Sequence, residues 1–327
     1  MVDAAEIELL TGSLRELFAE AAADVSIDVP ARLRELGWDG VSAENPARAT
    51  TLLFVEKGRA LSTAALLDET LLPLLATDLP GGIGPGSAVC YPAPGTGSGL
   101  SSTPQATTGI LVRRPAAGER LVIPVADTDG VHLAVGYADD FTVTPLPSLD
   151  PSAGWYAVSG PTPAERCAGD AWATALATAH RALAAELIGI AERALELAVE
   201  HTGSRRQFGA PIAAFQAVRH RLADGYVTIA AARALLDASF ADTADPGVAA
   251  LAAKARAGRA HDLVSANAVQ VCGAMGATLE HALHRYVNRG AILDALLGSG
   301  AELTAELGGM ARRRVAAGEG IPLLVEV

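Results

Sequence analysis

His201-Thr-Gly-Ser-Arg-Arg-Gln-Phe-Gly-Ala-Pro-Ile-Ala-Ala-Phe-Gln-Ala-Val-Arg-His-Arg-Leu-Ala-Asp224 is the stretch whose reading decides the fold. It holds Arg205, Arg206, Arg219 and Arg221 and no carboxylate before Asp224, in a chain whose formal net charge is -12. A local surplus of guanidinium in an acidic chain points to a bound anion. The segment breaks at Gly203 and restarts behind Pro211, which predicts a helix–turn–helix corner, since Gly near a helix end and Pro just inside a helix start are the usual punctuation. Guanidinium groups take phosphate oxygens through paired hydrogen bonds, and a helix N-terminus adds unpaired N–H groups, so a diphosphate fits such a corner. Composition alone leaves a second reading open, in which these arginines cap carbonyls and pair with Glu192, Glu196 or Glu200.

The rest of the composition narrows the class. A chain of 327 residues, half of them apolar but only 4% aromatic, has material for two or three domains with cores of Ala, Leu and Val, a composition that favours close helix contacts. The excess of Asp and Glu (37) over Lys and Arg (25) argues against nucleic acid, which is held by basic surface. No long apolar run is free of charged residues, so no membrane span is expected. Met1-Val-Asp-Ala-Ala-Glu6 lacks the basic start of a signal peptide, and three scattered cysteines, Cys90, Cys167 and Cys272, fit packing roles in a reducing cytoplasm.

Along the chain, Ile7, Leu10, Leu14, Leu17 and Phe18 share one face of a helix over 6–22. A short helix follows Pro30 and stops at Gly37, Trp38-Asp-Gly-Val41 reads as a turn, and Pro46 opens a helical region through Leu75 with Ser62 capping between two pieces. Between 80 and 105 Gly and Pro are too dense for any helix. Gly95-Thr-Gly97-Ser-Gly99 lacks the spacing of a nucleotide loop. Short β segments are expected at 108–114, 119–126, 130–135, 140–145 and 154–159. From Pro163 to Arg314 the pattern is helical again, with helices over Ala171–Val199, Pro211 to about Ala241, Val248–Val271, Leu279–Leu297 and Ala301–Arg314. The expected fold is mainly α with a small β domain: an N-terminal helical domain over 1–78, a reduced middle β domain over 79–161, and a C-terminal four-helix bundle over 162–327.

The motifs match a family. Arg205-x-Gln207-Phe208-Gly209-x-Pro211-Ile212-x-x-Phe215-Gln216, followed by Leu222-Ala-Asp224, resembles the signature of the acyl-CoA dehydrogenases, flavoproteins that desaturate acyl-CoA thioesters between Cα and Cβ. Gln270-Val-Cys-Gly273-Ala-Met-Gly276-Ala-Thr-Leu-Glu280 is similar to the family's Gln-x-x-Gly-Gly-x-Gly-x-x-x-Glu run, and the stretch from Leu33 to Val41 with Glu56-Lys-Gly-Arg-Ala-Leu61 resembles its N-terminal domain. The resemblance implies FAD, with Arg205, Gln207, Phe208, Gln270, Gly273 and Ala274 contacting the pyrophosphate and adenosine end of a neighbouring subunit's cofactor. Ala274 stands where the family has glycine. It stops short of the flavin-ring half of the site: Pro92-Ala-Pro94-Gly95-Thr-Gly97-Ser98-Gly99 is only faintly similar to the family's Thr-Glu-Pro-Gly run, and a Trp-x-x-Asn-Gly motif is missing.

Desaturation needs a carboxylate to take the α-proton. The two positions the family uses for it fall here on Leu297, in Leu296-Leu297-Gly298-Ser299, and on Ala179, 29 residues before Phe208; no catalytic residue is therefore assigned. Glu186, seven residues beyond Ala179 on the same helical face, is the one substitute, its other reading being a helix carboxylate paired with an arginine such as Arg193. His281 and His284, spaced i, i+3, lack HExxH spacing and further ligands, so no metal is expected. His201 is read as structural, with a place near Arg205 in the anion site.

The resemblance thus implies the smaller, catalytically degenerate subunit of an actinobacterial α2β2 steroid-type acyl-CoA dehydrogenase. Its partners would be a homologous catalytic subunit holding the acyl-CoA and an electron-transfer flavoprotein. Two alternatives stay open: a self-sufficient homotetramer using Glu186, and a flavin-free scaffold.

Overall fold

The computed structural model describes residues 4–320 except 25, 80, 81, 84, 85, 98 and 242–244. The first three residues of the Met1–Glu6 stretch read as lacking a signal-peptide start, several turn residues between 80 and 105, Ser98 of the Gly95–Gly99 loop and the end of the C-terminal segment lie outside the described residues.

Five helices open the chain: α1 (Ala4–Ala23), α2 (Val29–Glu35), α3 (Trp38–Glu44), α4 (Pro46–Ala60) and α5 (Leu66–Leu75). Leu14, Leu17 and Phe18 of α1 are buried, as the apolar spacing requires. Asp28 caps α2 by accepting from the Ala31 amide at 3.0 Å, and Asn45 caps α4 by accepting from Arg48 at 3.0 Å, each ahead of a proline in the first turn. The Trp38 turn is instead the short helix α3. Gly37, at φ 75°, reverses the chain, and burial of the Trp38 ring outweighs the turn propensity of Asp39-Gly40. Ser62 does not cap a helix; its Oγ accepts from the Ala64 amide in the α4–α5 connection.

Two four-stranded sheets follow, built from β1 (Ala88–Val89), β2 (Tyr91–Pro92), β3 (Ala106–Leu111), β4 (Arg120–Asp127), β5 (Gly130–Tyr137), β6 (Thr142–Pro145), β7 (Tyr156–Pro161) and β8 (Arg166–Ala168), in the orders β1-β4-β5-β8 and β2-β3-β7-β6. Among these strands only β1 against β4 is parallel, and an isolated parallel bridge joins Ser102 to Val125. The pairs of residues in β1 and β2 were hidden by surrounding Gly and Pro, and the three-residue β8 is too short to show period-two alternation.

Five more helices complete the chain: α6 (Ala171–Ser204), α7 (Gln216–Ala238), α8 (Pro246–Cys272), α9 (Leu283–Ala295) and α10 (Gly300–Ala316). Helix α6 does not break at Gly203 but runs to Ser204, whose hydroxyl donates to the carbonyls of Glu200 and His201. The fourth helix starts at Leu283, after a short 3-10 turn over Gly273–Ala277. Helix α6 is the axis of the molecule. It crosses α4 at two glycines: a Cβ on Gly58 would stand 2.2 Å from the Glu186 carbonyl oxygen, and one on Gly189 2.1 Å from that of Val55. The absence of side chains there lets the two backbones touch and sets Lys57 of α4 against Glu186 of α6.

Candidate flavin corner and a sealed interior

Between α6 and α7 the structure has a β-hairpin, β9 (Arg206–Gln207) and β10 (Ala210–Pro211), with Gln207 opposite Ala210 and Arg206 opposite Pro211. This corrects the helix–turn–helix reading. Phe208 at φ 53° and Gly209 at φ 81° form a two-residue loop with both central residues in the left-handed region, the geometry that closes tight hairpins. A 3-10 turn over Ile212–Ala214 then intervenes, so α7 begins at Gln216 with Arg219 and Arg221 in its first two turns, while Arg205 and Arg206 lie before the 3-10 turn.

The hairpin projects: Arg205, Arg206 and Gln207 are exposed and Phe208 is 91% exposed, its ring edge-to-face with Phe215 at 6.0 Å between ring centres. The carboxylates expected to hold the arginines are taken elsewhere. Glu192 and Glu196 pair with Arg59, Glu196 and Glu200 with Arg193, and Glu192 with Arg233. Among the described residues no carboxylate forms a salt bridge with Arg205, Arg206, Arg219 or Arg221; Arg221 instead donates to Asn267 Oδ1 at 3.0 Å, and Arg206 to the Gly209 carbonyl at 3.3 Å.

The second block joins this corner. Helix α7 returns the chain antiparallel to α6, and α8 returns it again, so α6 and α8 end on the same side. His201, in the last turn of α6, meets His281 edge-to-face at 5.4 Å, just beyond the loop that carries Gly273 and Ala274. Burial, His281 and Arg205 hold the His201 pKa below the usual histidine range. Gln270, Gly273, Ala274 and Met275 are exposed, and Gly273 ends α8 at φ 62° with open space where a Cβ would be. Guanidinium groups without a carboxylate partner among the described residues, an exposed amide and a bare backbone loop suit the anionic end of a dinucleotide.

The expected base positions are buried and apolar, Ala179 at 0% and Leu297 at 2% exposure. Leu297 sits at φ 58° and its carbonyl accepts from His180 Nε2 at 3.1 Å, which brings the α9–α10 connection against the helical turn that carries Ala179. Burial and the nearby Lys254 push the His180 imidazole down to about 3. Lys254 donates to the carbonyls of Asp294 and Gly298, and burial lowers its pKa to about 8 although Asp294 and Glu302 oppose the shift. Asp294 in turn accepts from the Gly300 amide at 3.0 Å, and Ser299 caps α10 reciprocally with Glu302. This turn is locked from three sides.

Glu186 does not pair with Arg193. Its Oε1 accepts from Lys57 Nζ at 2.5 Å, both side chains being at most 10% exposed. Arg289 is buried as well, donating to Asp150 Oδ2 at 2.5 Å, Ser152 Oγ at 3.2 Å and the Leu61 carbonyl at 3.1 Å. Between these pairs, Trp155, Leu183 and Leu296 lies a cavity of about 30 Å³. A flavin ring has no room there. A larger hollow, an open apolar groove of about 600 Å³ along Leu176, Ala177, His180, Leu251 and Met310, lies outside the Glu186 cluster. His281 and His284 do not gather further ligands; the group of metal-ligating type among the described residues is Asp127, Asp129 and His132 on the β4–β5 turn.

Residues 169–306 match the family described as acyl-CoA dehydrogenase, C-terminal domain. The acyl-CoA dehydrogenase IpdE2 of Mycobacterium tuberculosis is 36% identical over 283 residues, covering 85% of this chain and 80% of IpdE2. The chain therefore belongs to the acyl-CoA dehydrogenase family, whose members generally use FAD. Among solved structures, a variant of the Tcur3481–Tcur3483 steroid acyl-CoA dehydrogenase superposes with TM-score 0.69 at 25% identity, covering 95% of this chain and 99% of that one. The ChsE4–ChsE5 complex from Mycobacterium tuberculosis shares the fold with TM-score 0.67 at 21% identity, covering 97% and 98%.

Motif reading singled out the corner residues. Lys57 lay unremarked inside the Glu56–Leu61 block, and His180, Lys254, Arg289 and Asp294 carried no motif; the one available signal was that Lys57 and Lys254 are the chain's only lysines and both fall in expected helices.

Proposed function

We propose that this chain is the flavin-completing, chemically silent subunit of a heteromeric acyl-CoA dehydrogenase. The observation that carries it is Phe208: a phenylalanine held at φ 53° on a hairpin tip, 91% exposed, is strained and solvated on this chain alone, and such outliers persist where function needs them. The hairpin is built to enter something. In this reading Arg205 and Gln207 hold the pyrophosphate, Phe208 covers the cofactor, and Gln270, Gly273 and Ala274 meet its adenosine end, all within a partner subunit's site. The chain divides into 1–78, 79–161 and 162–327, with β8 as the strand by which the last of these returns to the sheet.

Bound FAD supplies a hydride acceptor. The partner supplies the carboxylate that takes the α-proton and the chamber that holds the acyl group, because this chain offers Ala179 and Leu297 in those places and binds Glu186 to Lys57. The heteromeric and steroid-type relatives favour a steroid-derived acyl-CoA as substrate, with electrons passing to an electron-transfer flavoprotein and the complex working in the cytoplasm. Expression of the chain alone and together with a full-length acyl-CoA dehydrogenase encoded beside it tests the reading by mass and visible flavin spectrum. FAD and a mixed complex only on co-expression support it. A yellow homo-oligomer, or a mixed complex without flavin, refutes it.

A further inference from the structure

The sealed interior has a consequence beyond the missing base. A site for a small organic ligand encloses roughly 300–1,000 Å³. The cavity lined by Leu183, one turn beyond Ala179, and by Leu296, next to Leu297, is about 30 Å³ and has room for little more than one water. What fills it is ionic. Lys57 and Glu186 close it from α4 and α6, and Arg289 closes it from α9 by gripping Asp150, Ser152 and the α4 C-terminal carbonyl of Leu61. The walls cannot slide apart cheaply. The backbones of α4 and α6 touch at Gly58 and Gly189, and Arg289 ties α4, α9 and the Asp150–Ser152 turn of the β region together. An acyl chain entering here would have to separate both buried ion pairs and leave their charges facing hydrocarbon.

We propose that this chain's own acyl chamber is closed by protein, with the Lys57–Glu186 and Arg289–Asp150 pairs standing where the acyl group would lie, so that a carboxylate restored at residue 297 leaves the chain unable to take up an acyl thioester. The proposal rests on the silent-subunit reading and deepens it: the chain has lost the chamber as well as the base.

The test uses the full-length chain and an octanoyl-CoA analogue carrying a terminal diazirine, with attachment sites mapped by mass spectrometry after irradiation. Wild type and Leu297→Glu are both expected to show no label on Trp155, Leu183 or Leu296. Label confined to the outer groove, at Leu176 or Met310, leaves that expectation met. In Lys57→Ala/Glu186→Ala, which removes both charges and enlarges the cavity, label appears on Leu183 or Leu296. Label at the inner residues in wild type, or none there in a folded double variant, overturns the proposal. Wild-type labelling decides the matter even if the variants do not fold. Flavin content of the co-expressed complex is read separately, so failure of the flavin-completing reading leaves a distinct mark from failure of the closed chamber.

Discussion

Removing one partner of the Lys57–Glu186 pair should destabilise this chain far more than removing both. In Lys57→Met the alkyl stem is retained and the charge lost, so the Glu186 carboxylate, its side chain 3% exposed, is left buried against an uncharged neighbour. Breaking a buried pair in this way costs about 3–5 kcal/mol. Replacing the pair with apolar residues of similar size, Lys57→Met/Glu186→Leu, is expected to be neutral or to stabilise by about 1–4 kcal/mol, because the desolvation penalty of both charges disappears. For cooperative unfolding of a 327-residue chain, the single variant lowers Tm by about 4–7 °C at roughly 2.1 cal/mol/K per residue. Urea denaturation of wild type, both single variants and the double variant closes the cycle. A Lys57→Met cost below about 1 kcal/mol, or a double variant whose loss is the sum of the singles, refutes the idea that the pair is sealed from water.

Three further outcomes are expected. Arg205→Ala in the assembled complex removes an uncommitted guanidinium and should weaken FAD retention by about 2–5 kcal/mol, measured as flavin released on gel filtration; unchanged flavin content would remove Arg205 from the site. Phe208→Asn replaces a strained aromatic by a residue suited to the left-handed region ahead of Gly209, so the chain alone gains about 0.5–1 kcal/mol in denaturation while the complex retains less flavin; a variant that loses stability shows that Phe208 packs on this chain. His180 is held neutral by burial, its folded pKa near 3 lying below the unfolded value of about 6.5, so the unfolded chain takes up the proton first as pH falls. Its stability contribution is complete above about 6.5 and is lost progressively between about 6.5 and 3, on the order of 3–5 kcal/mol in all. Denaturation midpoints against pH should show a shallower acid slope in His180→Asn, and an unchanged slope would contradict this assignment.

The chain's two candidate regions differ in how far they could be read. The corner at Arg205–Gly209 was legible as a candidate because a phosphate site would need guanidinium groups, an amide and tight backbone close together in the chain, so the whole requirement fits one local motif. Its local shape was not. A Gly and a Pro bracketing the segment suggest a helix break and restart, whereas the φ values of Phe208 and Gly209 make it a hairpin. Similarly, Trp38-Asp-Gly reads as a turn until burial of the indole is known.

The sequence by itself determined the helix–sheet–helix order, the amphipathic faces, the arginine-rich corner and the apolar residues at both base positions, since each depends on residues within a turn or two of one another. The tertiary structure alone decided the fate of Glu186 and of both lysines. Lys57 lies 129 positions from Glu186, and Lys254 lies 40 and 44 positions from the carbonyls it grips. Whether a buried charge is a base or a seal depends on what the fold sets beside it, and here the glycine crossing of α4 on α6 set a lysine there.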